Sequence, residues 1–461
     1  MTRLPALLFA LVLIGGCSTG GGPAPRPSVS GPVTFTGKIG AAGYRIVVPA
    51  GWNHTLVLYS HGYQPPGSPV GSPPDVASIP GGEWLLAHGY ALAGSSYSSS
   101  GWAVEQALPD QIAVLDAFSS RVGPPRRVIA WGHSLGGMIS AALVQAYPKR
   151  FAGALPMCGV LAGGVASWNI ALDAAFALRT LVSPQSTVQL VHITDPSRNR
   201  AFASQIENSA QDTPRGRARL ALVAALAGLP GWFDPALPEP GPLDYAAQEV
   251  SQFRWLSQVD LSFSFDYRAD LEQRAGGNPS WNTDVDYAAI LSRSRDRAEV
   301  EALYRAVGLD LAADLARLGA AGRVGADGPA VAYLDRNVSF TGKVSVPVLT
   351  VHTTGDGLVP VEEESAYAQA VAAAGNQAQL RQAFVHRAGH CFFTAAETIA
   401  AFQLLARRLD SGRWPVSQEQ VPQYLDSAAA ALGPALNRLP VSNQEAQAAF
   451  VTYSPGPFPR S

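Results

Sequence analysis

The chain has 461 residues, of which 47% are hydrophobic and 15% charged. That composition excludes a disordered or fibrous protein and fits one large globular unit or about two smaller ones. The formal net charge is -2 at pH 7, so no polyanion is attracted and no nucleic-acid partner is expected.

The first residues, MTRLPALLFALVLIGGC, place Arg3 before an apolar stretch from Leu4 to Ile14 and small residues before Cys17. The stretch is too short to span a bilayer and has the layout of an export leader. LIGGC resembles the lipobox of bacterial lipoproteins, which implies cleavage before Cys17 and lipidation of that cysteine, over residues 1–17. An ordinary secretory leader would share the export logic, and either reading places the protein outside the cytoplasm, on the cell envelope or secreted. Residues 18–32, STGGGPAPRPSVSGP, are rich in Gly, Pro and Ser, bury little, and read as an extended tether.

From Val33 onward, short β-rich runs alternate with helical stretches, the signature of a mostly parallel sheet flanked by helices. The clearest strands are TLVLYSH (Thr55 to His61), YALAGSSY (Tyr90 to Tyr97), RVIAWGH (Arg127 to His133), GALPMC (Gly153 to Cys158) and VPVLTVHT (Val346 to Thr353). Several are continuous apolar runs, as expected for strands covered on both faces. Pro109 to Arg121 and Leu135 to Tyr147 carry helical spacing, the second stopped by Pro148. Residues 159–342 change to mainly helical stretches, such as WNIALDAAFALRTLV and RGRARLALVAALAGL. They read as a cap inserted into a core of residues 33–158 and 343–410, or as an independent domain. Residues 411–461 hold one helical stretch, Gln418 to Leu432, and no assignable motif.

Gly132-His133-Ser134-Leu135-Gly136 has the form G-x-S-x-G. Such a serine can be an ordinary turn residue, but here it lies between a buried strand and an amphipathic helix. There the turn strains the serine backbone and the glycines let strand and helix pass closely, so that Oγ projects outward as a nucleophile. A hydroxyl needs a base within reach and a third group to orient that base. His386 and His390 follow the last confident strand. His390 opens a loop before a helix and is the candidate base, whereas His386 ends an apolar run and reads as structural. Asp356, between glycines after VPVLTVHT, is the candidate acid, although G-D-G is also an ordinary turn. Glu362, Glu363 and Glu364 read as the first turn of the next helix, complementing its dipole.

The order Ser134, Asp356, His390 and the strand contexts resemble the α/β-hydrolase superfamily over about Val33 to Leu409, the cap excepted. The resemblance implies the α/β-hydrolase fold, with a mostly parallel central sheet, and acyl transfer through a Ser-His-Asp triad. It also implies an oxyanion hole from the N–H of Leu135 and one in the HGY stretch, where Tyr63 is the expected donor and Gly62 allows close approach. No cofactor is required, and no metal-ligand spacing such as C-x-x-C or H-E-x-x-H occurs.

With Cys17 lipidated, Cys158 and Cys391 remain as a possible disulfide in an oxidising compartment, or as two buried thiols. Secreted tannase and feruloyl esterase relatives tie the nucleophile region to the histidine loop by a disulfide. Their cysteine adjoins the serine, however, and Cys158 does not. The cap supplies aromatic residues, among them Trp168, Phe176, Trp232, Phe233, Trp255, Tyr267, Trp281 and Tyr287, most of them expected in its core. Arg254, Arg268 and Arg274 could meet a carboxylate or solvent. The expected activity is that of an exported serine esterase acting on a small-molecule ester and held to the membrane by its lipid anchor. A peptidase of prolyl-aminopeptidase type and a noncatalytic binding lipoprotein are the alternatives. Acidic cap residues placed to bind a free amino terminus would favour the peptidase.

Overall fold

The computed structural model describes residues 32–439 and 442–460. The leader, Cys17 and most of the tether lie outside the described residues.

Among the described residues nine strands form one sheet in the order β1-β2-β4-β3-β5-β6-β7-β8-β9. β1 (Val33–Ile39) and β2 (Ala42–Val48) are an antiparallel hairpin turning at Gly40, whose φ of 58° suits glycine. Alternate exposure along β1 fits an edge strand with one solvated face. β3 (Thr55–Ser60), β4 (Ala91–Ser95), β5 (Arg127–His133), β6 (Gly153–Met157), β7 (Val348–Gly355) and β8 (Leu380–Ala388) run parallel. The residues of β3, β4, β6 and β7 are all buried, because helices cover both faces of the sheet. This is the α/β-hydrolase architecture that the resemblance implied.

The first expected helix begins earlier than its proline, at Val104: α2 spans Val104–Arg121 with Pro109 inside. Pro109 forfeits one main-chain hydrogen bond, but Val104 and Ala107 are buried in the core and hold the first turns in place. α1 (Gly82–Ala87) precedes it, and α3 (Leu135–Ala146) follows β5 at the expected position. One core cluster, including Ile46, Leu58, Phe118 and Leu143, covers one face of the sheet. Val57, Trp131, Leu349 and Phe402 pack on the other.

The chain leaves the sheet at Met157 and returns at Val348. The intervening residues form nine α-helices, from α4 (Gly164–Val182) to α12 (Gly328–Asn337), and two π-helical turns, Leu256–Asp260 and Phe263–Tyr267. They have a core of their own around Phe176, Leu222, Trp255 and Tyr304. After β7 come α13 (Glu363–Ala373), α14 (Ala395–Ser411) and α15 (Val421–Ala430). β9 (Phe450–Val451) pairs antiparallel with β8.

Candidate active site

Ser134 stands where β5 turns into α3, at φ 58° and ψ -126°, a conformation that L-residues avoid and that costs on the order of 1–3 kcal/mol. Close approach of three chain segments imposes it. A Cβ on Gly136 would lie 2.0 Å from the Ser60 carbonyl oxygen, and one on Gly132 would lie 2.2 Å from that of Gly136. Only glycine fits either place. The Ser134 N–H donates to the Met157 carbonyl at 3.0 Å, which fixes the turn against β6.

The loops after β7 and β8 bring the other two residues to the serine. His390 Nε2 lies 2.8 Å from Ser134 Oγ, and its Nδ1 lies 2.7 Å from Asp356 Oδ2. Asp356 Oδ1 accepts from the N–H groups of Leu358 and Val359 at 3.0 Å each. That is the turn geometry of a G-D-G segment, so one oxygen makes the turn while the other faces the histidine. Burial opposes the charge of Asp356, yet His390, His352 and the hydrogen bonds of these histidines hold its carboxyl below the usual range. This arrangement suits the tautomer in which Nδ1–H donates to Asp356 and Nε2 accepts from the serine hydroxyl.

The residues around this line are fixed as well. His133 is pushed down to about 4, first by burial and then by the neighbouring His390, and stays neutral at pH 7. The His61 ring stacks on Tyr97, and its Nδ1 lies 2.7 Å from the Gly62 carbonyl. The Gly62–Tyr63 peptide is trans, so the Tyr63 N–H points away from that carbonyl. A Cβ on Gly62 would stand 3.3 Å from the Ser134 Cβ. His386 does not reach this group: it sits on β8 between Thr354 Oγ1 at 3.2 Å and Glu239 Oε2 at 3.0 Å.

Cys158 and Cys391 form a disulfide with Cα atoms 5.4 Å apart. It joins the end of β6 to the residue after His390, and both cysteines have positive φ, 45° and 59°. Cys158, Cys391 and His390 are the one group of potential metal-binding side chains among the described residues. The bridge already engages both sulfurs.

Ser134 opens onto a cavity of about 100 Å³ walled mainly by apolar side chains, including Tyr63, Leu135, Trp102, Trp168, Ile170 and Phe263. Of the cap aromatics expected from the sequence, Trp168 lines it, while Phe176, Trp255 and Tyr287 are in the cap core. Two acids that the sequence did not mark for the pocket, Asp260 and Glu363, also line it. The π-helical turns account for the first, since Leu256, Asp260, Phe263 and Ser264 all reach the cavity from them. Such turns are rare and frequent at functional sites, but no residue pattern announces them. Asp260 Oδ2 is buried without a partner. Burial, then Glu207 and Asp356, push its carboxyl well up. Glu363 accepts from Ser167 Oγ at 2.6 Å and from the Ala162 N–H, and burial pushes it up to about 7. Among the described residues no lysine or arginine lines the cavity. Arg268 is instead buried against Ser280 and the Trp168 carbonyl, Arg274 pairs with Asp270, and Arg254 lies over Phe233.

Comparison with known proteins bears on the same region. Residues 93–228 match a family model described as serine aminopeptidase, S33. The o-phthalyl amidase of Xanthobacter agilis is 30% identical over 427 residues, spanning 85% of this chain and 91% of the amidase. Among solved structures, an esterase from Aspergillus oryzae is 12% identical with a TM-score of 0.43, covering 82% of this chain and 78% of its own. The acylaminoacyl peptidase of Pyrococcus horikoshii is 10% identical with a TM-score of 0.40 over 86% of this chain. That alignment takes in 44% of the peptidase, so this chain spans less than half its length. With the sheet order above and an amidase relative matched over nearly its whole length, the chain belongs to the α/β-hydrolase superfamily of serine hydrolases, which embraces esterases, amidases and peptidases.

Proposed function

We propose that the protein is an exported acyl hydrolase that cleaves carboxylic esters through Ser134, His390 and Asp356. The observation that carries this reading is Ser134 Oγ at 2.8 Å from His390 Nε2, in the wall of an aromatic cavity. Ser134 attacks the acyl carbonyl as His390 takes its proton, and His390 then delivers that proton to the leaving group. Asp356 remains ionised and stabilises the imidazolium. The N–H of Leu135, first residue of α3, and that of Tyr63 hold the oxyanion. Support for the second donor comes from the His61 contact that orients the Gly62–Tyr63 peptide. Water repeats the sequence on the acyl-enzyme.

The cavity bears on the acyl group. Its mainly aromatic and aliphatic wall suits an apolar acyl group. A second reading, cleavage of an amide, is favoured by the relative named o-phthalyl amidase. Asp260 and Glu363, facing a cavity that no lysine or arginine among the described residues lines, favour an acyl group that bears a hydrogen-bond donor over one that bears an anion. Export is supported by the disulfide, which persists in oxidising compartments, and lipid anchoring at Cys17 by the lipobox-like stretch.

The test uses residues 18–461 and their Ser134→Ala variant on p-nitrophenyl acetate, hexanoate and benzoate, beside benzoyl, phthalyl and aminoacyl p-nitroanilides. Ester turnover lost by roughly 10⁴-fold or more in Ser134→Ala is the expected result. Faster anilide turnover moves the assignment to an amidase. Absence of turnover, together with no labelling of Ser134 by a fluorophosphonate, rejects the catalytic reading.

A further inference from the structure

Behind the Ser134, His390 and Asp356 line lies a second histidine that the reaction sequence above does not use. His352, on β7, is fully buried. Its Nε2 lies 2.9 Å from the Val359 carbonyl and 3.5 Å from Asp356 Oδ2, and its Nδ1 lies 3.3 Å from Glu364 Oε1. The other Glu364 oxygen accepts from Thr350 Oγ1 at 2.5 Å and Gln382 Nε2 at 2.6 Å. Each ring nitrogen of His352 therefore faces acceptors only, and an imidazole with two acceptor partners satisfies both only by carrying a proton on each nitrogen. The contact with Val359 closes a small ring, because the N–H of that residue donates to Asp356 Oδ1.

We propose that His352 is a positioning residue: a buried imidazolium that keeps Asp356 aimed at His390 and offsets the second carboxylate, Glu364, behind it. The proposal rests on the catalytic reading given above. The ionisable groups facing His352 are Asp356 from the loop after β7 and, from α13, Glu364 with Glu363 farther off; His390 lies beyond Asp356, and Tyr367 lies beside Glu364. Burial works against its charge, but the hydrogen bonds and fields of Asp356 and Glu364 outweigh burial and raise His352 to about 10. With His390 neutral, the set His352, Asp356 and Glu364 carries one net negative charge. With His390 protonated, as while it holds the serine proton, the buried set is neutral. Without His352 two buried carboxylates would share the space with no cation between them. Burial and mutual repulsion would then both act against the charge on Asp356, which His390 needs ionised.

Two measurements test this on residues 18–461. In protein labelled with ¹⁵N-histidine, one of the eight histidines is expected to show imidazolium-type shifts at both nitrogens up to about pH 9, and that signal is expected to be missing from His352→Gln. A neutral His352 at pH 7 would overturn the proposal, and since this measurement needs only the unsubstituted protein, it decides even where the variant does not fold. In the folded variant, the acid limb of kcat/KM is expected to move up by about one pH unit, with activity at pH 9 within about threefold of the parent. A uniform loss with an unmoved limb would mean that His352 only fills space. Fluorophosphonate labelling of Ser134, run beside both, separates failure of this proposal from failure of the catalytic reading.

Discussion

Cys391 follows the histidine that faces Ser134, and its bond to Cys158 closes a loop across 233 residues of sequence. Restricting so long a loop in the unfolded chain stabilises the fold by on the order of 5 kcal/mol in the chain-entropy account. The histidine loop has other attachments: the Gly389 N–H donates to the Gly355 carbonyl at 3.0 Å, and Thr353 Oγ1 donates to the Gly389 carbonyl at 2.8 Å. Replacing both cysteines by serine should therefore cost stability first and geometry second. The expected outcome is a lower melting temperature with kcat reduced about tenfold and KM little changed, measured by calorimetry and ester kinetics. A melting temperature equal to that of the parent would show that the bridge constrains nothing the fold does not already fix. At this scale Ser134, Asp356 and His390 were legible in the sequence, because each lies in a short segment whose residue types dictate the local turn. Cys158 and Cys391 were legible as candidates, but pairing depends on where β6 and the loop after β8 end in space. His352 was not legible, because a histidine inside an apolar strand reads the same whether or not two carboxylates await it.

Elements differ in how much of their conformation is local. The five strands read from apolar runs are all present, while β8, the hairpin of β1 and β2 and the two-residue β9 were not singled out: β8 mixes polar with apolar residues over much of its length, and edge pairing depends on partners distant in sequence. Inside the cap, helices were legible from spacing, but the polar groups they bury were not. Glu207 on α5 (Pro196–Gln211), Glu249 on α7 (Tyr245–Trp255) and Glu299 on α10 (Arg297–Ala306) are each 2% exposed, and each leaves one carboxyl oxygen without a partner. Burial raises them to about 8, 7 and 8. In the unfolded chain these groups ionise near pH 4.5. Between that value and their folded values the native state holds more protons than the unfolded one, so their contribution to stability is intact below about pH 4.5 and lost as pH rises through 8. Glu207→Gln keeps the size of the side chain and removes its titration. It is expected to leave stability near that of the parent at pH 5 and to raise it by roughly 1 to 2 kcal/mol at pH 8.5, read by urea unfolding at the two values. An equal effect at both would refute the linkage.

For the whole molecule, the segment after β9 adds a tie between cap and sheet. From β9, at the sheet edge, the chain runs back to the cap: Tyr453 OH accepts from Arg295, Phe458 is buried in the cap core, and Arg460 reaches Asp173 on α4. The segment gave no motif in the sequence, since prolines and a lone arginine describe a strap only once both its anchors are known. Arg460 Nη1 lies 3.0 and 3.2 Å from the two Asp173 oxygens, Nη2 donates to the Trp281 carbonyl at 2.8 Å, and Tyr287 OH donates to Asp173 at 2.8 Å. Asp173 is fully buried, and burial, against the field of Arg460, leaves its carboxyl raised to about 6. Removing one partner from such a pair leaves an uncompensated charge, so Arg460→Ala should cost roughly 3 kcal/mol at pH 8. The cost should shrink toward pH 5, where Asp173 is protonated with or without its partner. Adding Asp173→Asn should recover part of the loss at pH 8, because the charge left unpaired is then gone. The check is a double-mutant cycle by urea unfolding at both pH values. A cost for Arg460→Ala that neither falls with pH nor is relieved by Asp173→Asn would mean that the strap holds the cap through Phe458 and main-chain contacts alone.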